Sequence, residues 1–247
     1  MEVGSNTVLV TGGASGIGLA LAERFVRAGD RVIACGRREE KLRELKERHP
    51  EIITRACDVG EESERVALFE WAVGEFPDLN VLVNNAGIQR RLRLDGGEEW
   101  SATRQEIAIN FEAPVHLTML FVPHLLTRAR GAVVNVTSGL AFSPLARVPV
   151  YCGTKAALRS FTLSLRRQLA GTPVEVVEII PPAVDTDLGG PGLHTFGVPL
   201  DEFADSAFER LRRGELEIPY GMAEAASRAS RQELDAIFER MNAAEPA

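Results

Sequence analysis

Short runs of β-branched and aliphatic residues alternate with amphipathic stretches along almost the whole chain. The runs are TVLVT (7–11), RVIAC (31–35), EIITRA (51–56), NVLVN (80–84), GAVVNVT (131–137) and VEVVEII (174–180). Between them lie stretches such as GLALAERFVRAG, REEKLRELKERH and ESERVALFEWAVGEF, whose apolar residues recur three and four apart, the period of a helix that buries one face. Two longer helical stretches fall at about 103–128 and 150–170. Apolar strands separated by helices of crossover length predict a doubly wound α/β fold, a parallel sheet covered on both faces, with ligands beyond the carboxyl ends of its strands. The 247 residues show no repeat and no break in pattern, so one domain over 1–247 is expected. The segment 189–200, GGPGLHTFGVPL, carries no charge and no period; following the sixth strand, it reads as a lid on the ligand side. The remainder, 201–247, is expected to be a helical tail: a helix in DEFADSAFERLRRG, at most a short strand in ELEIPYG, and a terminal helix in MAEAASRASRQELDAIFERMN.

Composition narrows the classes of partner. With 35 acidic against 28 basic residues and a net charge of −7, the chain offers no overall attraction to nucleic acid or to an anionic membrane. No window approaches the roughly 20 apolar residues of a membrane span, and an acid stands near the start where a secretory signal would be basic. A cytoplasmic location is the expectation. Cys35, Cys57 and Cys152 form no CxxC pair, and His49, His116, His124 and His194 form no close ligand set, so no metal is expected. Asn135-Val136-Thr137 fits a glycosylation sequon but lies within an apolar run that reads as a buried strand.

Two motifs carry chemistry. The first strand runs into Thr11-Gly-Gly-Ala-Ser-Gly-Ile-Gly18 and then a helix. Glycines 12, 16 and 18 permit a tight turn, close approach of backbone to a pyrophosphate and close packing of helix on strand, while the helix N-terminus offers unpaired N–H donors. A dinucleotide cofactor is expected there. A preference for NAD usually places an acid at the end of the second strand; here stand Gly36, Arg37 and Arg38. That leaves room for a 2′-phosphate and a guanidinium to grip it, so NADP(H) is expected, with Arg37 the stronger candidate. Asp58, ending the third strand, could meet the adenine amino group or cap the next helix. Tyr151 and Lys155, four apart in a helical stretch, project from one face, in a chain with only two tyrosines and three lysines. An ammonium about 4 Å from a phenol, at an effective dielectric near 20, favours its ionised form by about 4 kcal/mol, or about three pK units. Lys155 is therefore expected to bring Tyr151 toward neutrality as a proton donor and acceptor.

Together these motifs resemble the short-chain dehydrogenase/reductase family over about 1–188: TGxxxGxG at 11–18, NNAG at 84–87, Ser138 thirteen residues before Tyr151, and YxxxK at 151–155. The resemblance implies a single Rossmann-like domain acting as a carbonyl reductase or alcohol dehydrogenase on a small molecule. It implies that Ser138 orients the substrate carbonyl, Tyr151 transfers the proton, Lys155 holds the nicotinamide ribose and lowers the tyrosine pKa, and Asn110 anchors a water in the proton relay. It places the cofactor along Gly12, Ser15, Gly16, Ile17, Gly18, Arg37, Asp58, Val59, the stretch Asn84, Asn85, Ala86 and Gly87, Tyr151, Lys155, Pro181, Val184 and Thr186. It also implies a homodimer or tetramer. The two long helices pair across a two-fold axis in the family, and Leu117, Leu120 and Phe161 are the expected apolar contributors.

Two departures stand out. Where the family often has Pro-Gly after the sixth strand, this chain has Pro181-Pro182, which removes an N–H from the turn, and Thr186 keeps its place. The family's usual glycine-rich seventh strand, which helps build tetramers, is replaced by ELEIPYG and the tail. A dimer is favoured on that ground. The tail, with ERMN near its end, resembles bacterial family members named for D-alanine and lipoteichoic acid metabolism. A non-catalytic cofactor sensor on the same fold is the alternative function, disfavoured because a pure binder has no need of Ser138, Tyr151 and Lys155 together. Finally, Arg90, Arg91, Arg93 and Arg147 form a possible basic rim for an anionic substrate, which Asp95, Glu98 and Glu99 nearby would offset.

Overall fold

The computed structural model describes residues 1–94 and 99–243; Asp95 and Glu98 lie outside them. Among the described residues, seven strands, all parallel, form one sheet in the order β3-β2-β1-β4-β5-β6-β7. They are β1 (Thr7–Thr11), β2 (Arg31–Gly36), β3 (Ile53–Ala56), β4 (Val81–Asn84), β5 (Gly131–Val136), β6 (Val174–Ile180) and β7 (Glu217–Pro219). The helices are α1 (Gly16–Arg27), α2 (Glu39–Arg48), α3 (Glu62–Glu75), α4 (Trp100–Ile107), α5 (Ala113–Leu125), α6 (Pro149–Gln168), α7 (Leu200–Arg212), α8 (Met222–Arg228) and α9 (Arg231–Asn242). Strand order reverses between β1 and β4, the switch point beyond which a crevice opens in sheets of this kind.

The central strands are apolar on both faces because each face is covered. One cluster packs β-strand residues such as Val8, Val10 and Val134 against Leu21 and Phe25 of α1 and Phe203 of α7. The other packs Leu9, Leu82 and Val133 against Leu68 of α3 and Leu117 and Phe121 of α5. Leu117 is 1% exposed, so it belongs to this core and is not available to an interface; Leu120 and Phe161 are half-buried against the same cluster. The large apolar residues that α5 and α6 do expose are Met119 and Leu163.

Two elements differ from the periodic reading. The stretch expected as one helix over 103–128 contains a π-helical turn, Ala108–Glu112, between α4 and α5. Such a turn inserts an extra residue and often marks a functional position; here it carries Asn110. The expected single terminal helix breaks into α8 and α9. Ala229 is extended and Ser230 starts a new helix with a capping box, its hydroxyl accepting from the Glu233 N–H while the Glu233 carboxylate accepts from the Ser230 N–H.

Candidate active site

The glycine-rich turn after β1 is shaped as a cradle. Gly12 and Gly16 have φ of +65° and +52°, where a side chain would be strained. At Gly18 the constraint is contact: a Cβ would lie 2.3 Å from Asn85 Nδ2 and 2.4 Å from the Gly12 carbonyl oxygen. Thr11 fixes the adjoining end of β4, its hydroxyl accepting from the N–H groups of Asn85 (3.0 Å) and Ala86 (3.1 Å). Asn85 Nδ2 in turn donates to the Thr11 carbonyl at 2.9 Å. Ser15 precedes α1 in extended conformation without capping it, and the first turn of α1 carries no acid. The helix end therefore presents its N–H groups to the crevice unneutralised.

At the other side of that turn, Arg37 and Arg38 are exposed at the start of α2. Arg38 Nη2 donates to Ser15 Oγ at 2.7 Å, which ties this arginine to the glycine-rich turn. Asp58 lines the crevice, and its Oδ1 accepts from the Gly60 N–H at 2.9 Å. It thus closes a local turn, while Glu61 takes the N-cap position of α3.

Tyr151 and Lys155 lie one turn apart on α6, both buried. Ser138 follows β5, its hydroxyl accepting from the Leu140 N–H at 3.1 Å and lying within hydrogen-bonding reach of the Tyr151 hydroxyl. Lys155 Nζ donates to the Val136 carbonyl at 2.8 Å and stands 5.6 Å from the centre of the Tyr151 ring. Burial pushes the Tyr151 hydroxyl well above the ordinary phenol range, and the bond from Ser138 only partly offsets this. Burial brings Lys155 down to about 8. In this arrangement desolvation dominates, the Ser138 hydroxyl is the neighbour that favours the phenolate, and the Lys155 ammonium is directed at a carbonyl of β5.

Asn110 is 1% exposed and clamps the strand end after NNAG: its Oδ1 accepts from the Ile88 N–H at 2.9 Å and its Nδ2 donates to the Ile88 carbonyl at 2.8 Å. Its side chain is therefore engaged with protein groups. Four residues earlier, Glu106 is a buried carboxyl group that the sequence reading missed. It is 1% exposed, its Oε1 accepts from the Arg90 N–H at 3.2 Å, and burial raises it to about 7. Its charge also acts to raise Tyr151.

A cavity of about 1600 Å³ joins these features. Of the residues expected to hold cofactor or act on substrate, Gly12, Ser15, Gly16, Ile17, Arg37, Asp58, Val59, Asn85, Ala86, Gly87, Ser138, Tyr151, Lys155, Pro181, Val184 and Thr186 all line it. Gly18 and Asn110 stand behind the wall, as does Asn84, whose Nδ2 donates to Asn135 Oδ1 at 2.9 Å inside the sheet. The loop after β6 turns across the opening. Pro181 accepts from the Gly139 N–H at 2.8 Å, and Val198 pairs with the chain beside Val184 through bonds of 2.9 Å to Ala183 and Asp185. Segment 189–200 thus returns along the cavity, which Gly189, Gly190, His194, Phe196 and Leu200 line.

Of the expected basic rim, Arg90 and Arg147 line the cavity. Arg90 folds its guanidinium back onto α4, donating to the Ala102 carbonyl and to Gln105 Oε1, each at 2.6 Å. Arg147 lines the cavity, but so do Asp185 and Asp187, and charges of both signs meet there. The tail contributes wall residues that were not anticipated: Met222 and Ala223 of α8, and Ile237, Arg240 and Met241 of α9. Their sequence signal was the capping box at Ser230 and Glu233, which marks where α9 begins.

A parallel sheet with its strand order reversed beside a glycine cradle, and a Ser, Tyr and Lys set across the cavity from it, define a dinucleotide-binding oxidoreductase fold. The short chain dehydrogenase family model matches residues 6–193, and this chain belongs to that family. It is 49% identical to the uncharacterized oxidoreductase DltE of Bacillus subtilis (strain 168), over 99% of this chain and 100% of that one. That similarity runs through the tail. It is 37% identical to the NADP-dependent 3-hydroxy acid dehydrogenase YdfG of Salmonella typhi, over 70% of this chain and 71% of that one. Among solved structures, a short chain dehydrogenase from Burkholderia cenocepacia J2315 in complex with NADP superimposes with a TM-score of 0.84 at 26% identity, covering 96% of this chain and 99% of that one.

Proposed function

We propose that the protein is an NADP(H)-dependent oxidoreductase of carbonyl compounds and secondary alcohols, with Tyr151 as the general acid and base. The single observation carrying this reading is the continuity of one cavity from the glycine cradle and the two arginines to Ser138, Tyr151 and Lys155. The cradle fits a pyrophosphate because Gly12 and Gly16, at positive φ, line the cavity with bare backbone and the first turn of α1 is free of acids. Arg37 and Arg38 fit a 2′-phosphate: both are exposed beside the cavity, and no carboxylate ends β2. When bound there, NADP(H) supplies or accepts the hydride. The protein's own groups do the rest. The Ser138 hydroxyl steadies the substrate oxygen, and the Tyr151 hydroxyl hands over its proton or takes one back. Lys155, on the same face of α6, holds the ribose, and its positive charge favours the ionised form of the tyrosine. Asn110 keeps Gly87 and Ile88 in place beneath them. YdfG, by its name, acts on 3-hydroxy acids with NADP, an alcohol chemistry consistent with this site.

The test is turnover of a panel of aldehydes and ketones followed by NADPH absorbance, with NADH alongside. Tyr151→Phe is expected to retain fold and NADPH binding and to lose at least a thousand-fold in kcat, because only the ionisable hydroxyl is removed. Lys155→Arg is also expected to be damaging, since a guanidinium is bulkier and differently directed. Near-wild-type turnover by Tyr151→Phe would overturn the mechanism.

A further inference from the structure

We propose that α9 is the substrate-selecting wall of this cavity, seated by Asn242, and that it selects carbonyl compounds bearing a long or bulky apolar substituent. The inference rests on the carbonyl-oxidoreductase reading and assigns its substrate class.

Helix α9 has no fully buried residue, so core packing does not fix its position. It meets the body along one half-buried stripe, Leu234, Ile237 and Met241, at helical spacing. At its last residue, Asn242 bonds the loop that joins Ser138 to Tyr151: the Ala146 N–H donates to Asn242 Oδ1 at 2.7 Å and Asn242 Nδ2 donates to the Pro144 carbonyl at 3.2 Å. A second bond from Nδ2, to the Phe238 carbonyl at 2.8 Å, fixes the amide on its own helix. The preceding helix touches the same loop nearer Ser138, where a Cβ on Gly139 would lie 3.0 Å from Ala223 Cβ. The tail thus meets the catalytic loop at two places, beside Gly139 and at Pro144 and Ala146.

Apart from Arg240, what the tail presents there is apolar. Ile237 and Met241 line the cavity from α9. Leu188, Phe196 and Met222 line it from the loop after β6 and from α8, and Phe196 and Met222 are left 70% and 68% exposed. Large apolar side chains gathered in water around one opening favour a ligand that covers them. The charges nearby are of both signs, Arg90, Arg147 and Arg240 with Asp185 and Asp187, so the apolar side chains are what the selection rests on.

Two measurements test this. Amide hydrogen exchange, which does not depend on turnover, should show the Ala146 N–H exchanging at least ten-fold faster in Asn242→Ala than in wild type. Asn242→Asp, which keeps the acceptor, should restore most of the protection. Equal exchange in wild type and Asn242→Ala would overturn the seating role. In the second, kcat/KM is measured with NADPH for straight-chain aldehydes from propanal to decanal. Wild type should gain with each methylene, up to the roughly four-fold that full burial of a CH₂ supplies, mainly through KM. The decanal-to-propanal ratio should fall at least ten-fold in Ile237→Ser/Met241→Ser and also in Asn242→Ala. Turnover with a flat series, or a ratio unmoved by these substitutions, would overturn the substrate class while leaving the carbonyl-oxidoreductase reading intact. No turnover of any carbonyl compound by wild type would overturn both, with the exchange result still deciding whether Asn242 seats the helix.

Discussion

Glu106 is a carboxylic acid held where ionisation is costly, and the direction of its shift fixes what pH does to the protein. Its pKa in the folded state is about 7, against an ordinary carboxylate value of 4.5, because burial penalises the charged form. Between those values the folded state binds more protons than the unfolded one, so stability falls as pH rises from about 4.5 through 7. Glu106→Gln keeps an acceptor for the Arg90 N–H and removes the charge. It should raise Tm by a few degrees at pH 8 and by much less at pH 4.5, a difference that thermal scans at the two pH values will read. Because the Glu106 charge raises Tyr151, the same substitution should shift the alkaline limb of a reductase pH profile to lower pH. An unchanged pH dependence of Tm would show that Glu106 does not titrate in this range. Legibility at this scale followed motif spacing. Tyr151, Lys155, Ser138 and the glycines were readable because their chemistry demands residue types at fixed separations. Glu106 belongs to no motif, and its burial follows from how α4 packs on α6, which no local pattern records.

At the scale of elements, the sheet was legible almost strand by strand, because buried parallel strands are apolar on both faces and stand out against amphipathic helices. The π turn at Ala108–Glu112 and the break at Ala229 were not, since neither carries a glycine or proline that would mark it. One polar clamp joins three elements. Glu178 of β6, fully buried, accepts from Thr137 Oγ1 at 2.7 Å and from Arg159 Nη1 of α6 at 2.5 Å. Arg159 continues to Glu217 of β7 at 3.6 Å, and Arg166 reaches the same carboxylate at 3.0 Å. Thr137 precedes Ser138, so the clamp also positions the end of β5. Removing the cation alone leaves a buried carboxylate uncompensated, which costs about 3 to 5 kcal/mol. Arg159→Ala should therefore lower Tm by roughly 6 to 20 °C for a chain of this size. Pairing Arg159→Met with Glu178→Leu should recover most of the loss. Equal Tm values for the single and double variants would place the cost in lost arginine packing on Phe142, whose ring centre lies 4.4 Å from the guanidinium carbon.

For the whole molecule, two properties follow from its surface and its cavity. Assembly is one: we propose a homodimer through the faces of α5 and α6 that expose Met119 and Leu163, since Leu117 is committed to the core. Light scattering should give about twice the chain mass of 26.9 kDa, and Met119→Glu/Leu163→Glu should give the single-chain mass. A wild-type monomer at micromolar concentration would reject the proposal. Cofactor choice is the other. A ligand that binds only the folded state stabilises it by about 2.7 kcal/mol at a hundred times its Kd, or about 5 to 10 °C of Tm in a chain this long. NADPH should produce that shift, and NADH at the same concentration a smaller one. Arg37 and Arg38 flank the glycine-rich turn, Arg38 through its bond to Ser15. A charge-assisted, partly exposed phosphate contact supplies about 1.5 to 3 kcal/mol. Arg37→Ala and Arg38→Ala should therefore each reduce the NADPH shift and leave the NADH shift in place. The two variants separate the arginine that sequence favours from the one the hydrogen bond favours. Equal losses with both cofactors would make the arginines structural, Arg38 as a tether for the turn, and would place the choice between NADP and NAD elsewhere in the cavity.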